Sequence, residues 1–282
     1  MHRLIHYTLK VSDRQASRDF FVDSLGMRVL RHEEYDAGCK VECNGPFKNR
    51  WSKTLVGYGS EDAHFVLELV YNYDVDKYDK GNDLVGIFIR STEVYIRCTE
   101  KLLGDITAFE DILYLRVLDP DGHAFYIKKG TPKPEPMFKI GLNTGNLEET
   151  VDYWTNVLGM RKLLDMENRC VVGYSEEQCC IEWHQISESL NRSNGYGRVA
   201  FSIPTPELKL LEEQINKQGL KILFPLQQLG SGDIKESVLI LADPNDHEIC
   251  FVGESEFLKL SEEDTEADDK MAFAIVKEHE KN

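Results

Sequence analysis

Two stretches of the chain repeat each other closely enough to constrain any fold it adopts. DFFVDSLGMRVL begins at Asp19 and DYWTNVLGMRKL at Asp152. Each reads as the end of an amphipathic helix, a turn glycine (Gly26 or Gly159) and the start of a strand. Polar caps lie upstream, Ser12-Asp13 in one copy and Asn146 in the other. VLDPDGHAFYI (117–127) and LADPNDHEICF (241–251) match in the same way, as two strand segments around a tight turn. One helix-like segment precedes each of these, TEVYIRCTEKLLG and PELKLLEEQINKQG. A repeat of this length points to duplication. Within each copy the order is strand, helix, three strands, and then the same again. That makes four βαβββ modules in the chain and an α+β fold class rather than a doubly wound parallel sheet.

The copies are expected over 4–128 and 137–252, with a linker over 129–136 marked by the prolines of KKGTPKPEPM. The remainder, 253–282, contains SEEDTEADDK and reads as a solvated, mobile acidic tail; its end, MAFAIVKEHEKN, is compatible with a short helix that docks back.

The formal net charge of −16 argues against nucleic-acid backbones and anionic membranes as partners, because both reward basic patches. Cysteines at 39, 43, 98, 170, 179, 180 and 250 form no CxxC pair, and an odd number without a signal peptide is expected to stay reduced. The opening MHRLIHYTLKV reads as a first strand, not a secretory h-region or cleavable presequence, and no apolar stretch approaches a bilayer span. A cytoplasmic location is the expectation, with a mitochondrial one left open.

Glu68 interrupts the apolar run Phe65, Val66, Leu67, Leu69, Val70. A carboxylate inside a buried strand must be paired, hydrogen-bonded or bound to a cation, unless it turns to solvent. The surrounding residues, LELVYNYDVDKYDKGND, resemble the ELTYNYG…Y…G segment of glyoxalase I (lactoylglutathione lyase). FFVDSLGMRVL resembles the FYTKVLGMKLL helix end of that family, and DPDG its final hairpin. Together these resemble the vicinal-oxygen-chelate superfamily over roughly residues 4–252. The resemblance implies tandem glyoxalase-like domains built as open, curved, half-barrel mixed sheets. It also implies isomerisation of the methylglyoxal–glutathione hemithioacetal to S-lactoylglutathione, a small-molecule detoxification. Glutathione is the implied co-substrate, and a divalent metal (zinc or nickel) is implied to stabilise an enediolate as a Lewis acid while a glutamate moves the proton. The chain carries no GxGxxG or P-loop that would call for a nucleotide.

The family's four ligand positions fall, in the first copy, on His6, Glu68, Gly86 and Tyr126, and in the second on Lys139, Glu182, Arg198 and Cys250. Relatives commonly pair the front module of one copy with the back module of the other. The resemblance therefore implies one site from His6, Glu68, Arg198 and Cys250, with Glu68 as catalytic base and His6, Glu68 and Cys250 as metal ligands. Glu248, two residues before Cys250 on the same strand face, is an alternative donor. The second site, Lys139, Glu182, Gly86 and Tyr126, has lost its metal pattern and reads as degenerate.

Plainer readings stand beside these. His6 is also readable as a satisfied core histidine, and Cys250 as a small buried hydrophobe. Arg198 is readable as an ion-pair partner for Glu68 or as a group binding a substrate carboxylate. Trp51, Trp154 and Trp183 read as packing residues, and His64, His123, His184 and His247 have no ligand spacing. Two functions from different classes follow: a glyoxalase I-type lyase, or a catalytically degenerate protein that binds through a pocket or to a protein partner. An iron extradiol dioxygenase ranks last, because only His6 and Glu68 match its two-histidine, one-carboxylate need.

Overall fold

The computed structural model describes residues 1–109, 112–230 and 235–279. Four modules follow one another. The first comprises β1 (Arg3–Val11), α1 (Arg14–Arg18), β2 (Arg28–Tyr35), β3 (Trp51–Gly57) and β4 (Val66–Asn72). The second comprises β5 (Leu84–Arg90), α2 (Thr92–Lys101), β6 (Asp105–Phe109), β7 (Ile112–Leu118) and β8 (Ala124–Lys128). The third comprises β9 (Met137–Thr144), α3 (Leu147–Asp152), β10 (Arg161–Met166), β11 (Arg169–Gly173) and β12 (Cys180–Gln185). The fourth comprises β13 (Arg198–Ile203), α4 (Thr205–Lys217), β14 (Ile222–Leu229), β15 (Glu236–Ala242) and β16 (Glu248–Gly253). The fold is α+β, with two open, mixed, eight-stranded sheets.

The repeated motifs have local physical causes. Asp13 and Asn146 cap α1 and α3, accepting from the Ala16 and Glu149 amides. Each helix then widens into a π-helical turn, Asp19–Ser24 or Tyr153–Val157, and stops at a glycine with positive φ, +73° at Gly26 and +74° at Gly159. Only a residue without a Cβ adopts that conformation cheaply. The shared DP segments are hairpin locks. Asp119 accepts from the His123 amide at 2.7 Å, and Asp243 from the His247 amide at 2.9 Å.

In space the copies interleave. One sheet runs β14-β15-β16-β13-β1-β4-β3-β2 and the other β10-β11-β12-β9-β5-β8-β7-β6. Each therefore joins a module from the first half of the chain to one from the second, through antiparallel β1–β13 and β5–β9 pairs. The core between the sheets is equally shared. Phe20, from the first helix, packs at 5.3 Å on Phe125 of β8, and Trp154 at 6.0 Å on Phe201 of β13. Trp154 and Trp183 are fully buried, and Trp51 donates to the Ala37 carbonyl at 3.0 Å.

Two sequence expectations are corrected. The acidic segment is not a solvated tail in the described residues: it forms α5 (Glu254–Leu260) and α6 (Ala267–His279). Ala267, Met271 and Ile275, spaced i, i+4, i+8, are buried, and α6 packs against β2. Arg14, buried and stacked against Tyr71 and Tyr73, reaches the Ala274 carbonyl at 3.0 Å and Glu278 at 2.6 Å. Residues 280–282 lie outside the described residues. The cysteines are not all reduced either: Cys39 and Cys43, Cα atoms 5.5 Å apart, form a disulfide, and the other five are free.

Candidate functional site

The four positions assigned to the first site lie on the four adjacent central strands of one sheet, β4, β1, β13 and β16. Thr8 stands opposite Glu68, and His6 lies between Val66 and Ala200. Arg198 stands opposite Glu248, and Ala200 opposite Cys250. Strand alternation puts His6, Thr8 and Lys10 of β1 on the face shared with Glu68, while Tyr7, Leu9 and Val11 face the core.

Glu68 is inside, 7% exposed, with Oε1 accepting from the Thr8 hydroxyl at 3.0 Å. His6 Nε2 lies 3.8 Å from Glu68 Oε2, and His6 Nδ1 is 2.6 Å from Glu61 Oε1. The second oxygen of Glu61 is held by Arg31. Burial pulls the His6 pKa down, but Glu68 and Glu61 outweigh it and leave the imidazole more basic than usual. Glu61, buried yet paired with His6 and Arg31, is more acidic than usual. The result is an oriented histidine, more basic than usual, facing a buried carboxylate.

The back half of the expected site behaves differently. Arg198 does not meet Glu68. Its Nε and Nη2 clasp Glu248 Oε2 at 2.8 and 2.5 Å, and Nη1 and Nη2 donate to the carbonyls of Val41 and Glu42, both at 3.1 Å. Four guanidinium donors are thereby engaged inside the protein, so the substrate-binding role expected for Arg198 is not available to it in this arrangement. The carbonyls belong to the β2–β3 loop, which inserts Val41 (1% exposed) among Ala200, Ile240 and Val252. Cys250 packs against the same cluster, and burial pushes its thiol up to about 12. It behaves as the small hydrophobe, not as a thiolate ligand.

A resident divalent metal therefore does not fit this donor set. His6 and Glu68 converge, but Cys250 is held as a neutral thiol and Glu248 is committed to Arg198, so neither of the expected third donors joins them. Among the described residues no group of three or more His, Cys, Asp or Glu side chains is arranged to hold a metal ion.

The degenerate site is closed by its own residues. Lys139 Nζ lies 2.6 Å from Glu182 Oε2, and His184 Nε2 lies 3.1 Å from the same oxygen. Burial opposes ionisation of Glu182, yet His184 and Lys139 hold it at about 2. Tyr126 stacks on Phe88 at 4.9 Å, and Lys139 sits 4.2 Å above the Phe88 ring. Gly86, at φ +150°, has no room for a side chain: a Cβ would lie 2.4 Å from the Ala124 carbonyl oxygen. Sequence reasoning missed Glu61, Thr8 and Lys10. The β1 residues were legible as the i+2 and i+4 neighbours of His6 on one strand face, whereas Glu61 sits in a loop without periodicity.

Fold and site together define a class. The chain belongs to the glyoxalase/bleomycin resistance protein/dioxygenase superfamily, whose pattern matches residues 3–127. Residues 146–260 match the C-terminal domain of glyoxalase domain-containing protein 4-like proteins. Among relatives, Glyoxalase 1 of Caenorhabditis briggsae is 42% identical, over 98% of this chain and 97% of its own length. Glyoxalase domain-containing protein 4 of Mus musculus is 40% identical over 93% of this chain and 89% of its own. The crystal structure of glyoxalase I from Zea mays shares the fold, with a TM-score of 0.74 at 23% identity over 92% of this chain and 95% of that one.

Proposed function

We propose that this chain is a glyoxalase I-type isomerase that converts the hemithioacetal of a 2-oxoaldehyde, methylglyoxal in the first instance, and glutathione to the thioester at the His6–Glu68 pair. The observation that carries the reading is the 3.8 Å approach of His6 Nε2 to Glu68 Oε2, with His6 fixed by Glu61. Glu68 takes the proton from the carbon bearing the thioether, and the electron pair delocalises onto the neighbouring carbonyl oxygen as an enediolate. His6 stabilises that oxygen and Glu68 returns the proton to the adjacent carbon, while the proton of the hemithioacetal hydroxyl passes to the former carbonyl oxygen, so the thioester forms with no net oxidant. His6 is 16% exposed at its side chain and Glu68 9%. The names of the nematode relatives support the same reaction class.

A lone imidazolium is a weaker electrophile than a metal ion, so turnover is expected to be slow and to persist in chelator. The test is thioester formation from methylglyoxal and glutathione, with EDTA and with added zinc or nickel, for the parent, Glu68→Gln and His6→Ala. Each variant is expected to lose about 100-fold or more, the usual range for a positioned acid or base. A parent rate no higher than the Glu68→Gln rate under every metal condition overturns the enzyme reading. The Arg198–Glu248 clasp and the Val41 plug then favour the second reading, a non-catalytic binding protein.

A further inference from the structure

Away from the His6–Glu68 face, a cavity of about 170 Å³ lies where β1, the segment entering β5, the β7–β8 hairpin and the loop entering β13 meet. Its wall includes Tyr7, Lys80, Asp83, Arg116, His123 and Tyr126. Glycines 81, 122, 195 and 197 complete it without side chains. At ~30 Å³ per water this is room for five or six waters, or a ligand of about that many non-hydrogen atoms.

Several wall groups lack the partners that buried polar atoms ordinarily have. Asp83 is 4% exposed, and its Oδ2 accepts no hydrogen bond. The closest cation to it, Arg192 Nε at 3.9 Å, is also buried without a hydrogen bond. The Tyr7 hydroxyl, on a residue 2% exposed, has no partner among the described residues, and neither does the Arg116 guanidinium. His123 gives Nδ1 to Asp119 at 2.7 Å, leaving Nε2 uncommitted. Lys80 donates to the Gly122 carbonyl and keeps its other protons. Leaving such groups unmade costs free energy, so an arrangement of several around one void points to an occupant.

The charges select its chemistry. Lys80 and Arg116 on the wall, with Arg192 behind Asp83, outnumber the single carboxyl of Asp83. Burial also makes that carboxyl a weaker acid than usual. We propose that this cavity binds a short hydroxycarboxylate: its carboxylate on Arg116 and Lys80, its hydroxyl between Asp83 Oδ2 and the Tyr7 phenol. An arginine–carboxylate contact is planar and bidentate, which suits the free guanidinium of Arg116.

The test is a titration of the full chain with glycerate, read from the backbone amide resonances of Gly122, Gly195 and Gly197. Saturation with Kd on the order of 1 mM is expected, reasonable for so small a ligand. Arg116→Ala and Lys80→Gln, at half-buried and exposed positions, are each expected to weaken binding about tenfold while the melting temperature is kept. Glu68→Gln is expected to bind as the parent does. The proposal is overturned by no saturation up to roughly 20 mM. It is also overturned by unchanged affinity in both cation variants, or by glycerol or propionate saturating the same resonances as tightly as glycerate.

Discussion

Lys10 carries the least compensated charge on the face that holds His6 and Glu68. It is 2% exposed, and among the described residues its ammonium meets the Cys43 carbonyl at 3.5 Å and the Tyr196 ring at 5.9 Å. Burial, and then the neighbouring Arg198, lower its pKa from 10.5 to about 8, with Glu68 and Glu248 holding part of the charge. Since the folded pKa lies below the unfolded one, the native state binds fewer protons than the unfolded chain between pH 8 and 10.5. The charged lysine therefore penalises folding fully below about pH 8, and the penalty fades as pH rises to 10.5. Lys10→Met is expected to stabilise the protein by roughly 2–3 kcal/mol at pH 7 and by little near pH 10.5, measured by urea unfolding at both values. A gain of equal size at both would mean that packing, not charge, is relieved. Arg198→Met is expected to do the opposite. It leaves Glu248 buried without its partner and should cost about 3–5 kcal/mol in the same measurement.

Among the elements, the linker and the last helix are more tightly joined to the body than their compositions suggest. Glu135 of the linker accepts from the Phe65 amide at 2.9 Å, and burial lifts its pKa to about 7 against the pull of that amide and of Arg3. A carboxyl with a raised folded pKa stabilises most below its unfolded value of 4.5 and loses that contribution as pH climbs towards 7. Glu135→Gln keeps an acceptor for Phe65, so it is expected to flatten the fall in stability over this window and to gain about 1–3 kcal/mol at pH 8. Ending the chain after Ser261 removes α6 with buried Met271 and Ile275 and takes Glu278 from buried Arg14. The expected loss is roughly 3–6 kcal/mol in urea unfolding. What the sequence disclosed of these elements follows from how local their causes are. The caps at Asp13 and Asn146 and the glycines 26 and 159 act within a turn of their own helix, so single-chain patterns reveal them. The α6 seat depends on Arg14, some 260 residues away, and the Val41 plug is one valine in a polar loop, so neither leaves a periodic trace. At the site the same division holds. His6 and Glu68 were legible from motifs, whereas the fate of Arg198 and Cys250 depended on which loop fills the sheet.

For the molecule as a whole, the decisive fact is that neither sheet belongs to one half of the chain. Through the β1–β13 and β5–β9 pairs, the copies read at 4–128 and 137–252 exchange modules, and the Phe20–Phe125 and Trp154–Phe201 contacts join the two sheets across one core. Cutting within 129–136 and separating the pieces leaves the inner edges of β1 and β5 unpaired on the first and those of β9 and β13 on the second. Such edges accept another chain in place of the missing one. The first half expressed alone is therefore expected to be self-associated or poorly folded, not a stable monomer, because one copy can supply only modules that need a partner. Mixing the two pieces is expected to give a one-to-one complex with the amide spectrum of the intact protein. The intact chain is expected to unfold in one transition, with fluorescence of Trp51, Trp154 and Trp183 coinciding with far-UV circular dichroism. Two separated transitions in the intact chain, or a monomeric, cooperatively folding first half in size-exclusion chromatography and urea titration, would show that the copies are independent domains and that the cross-copy pairing is dispensable.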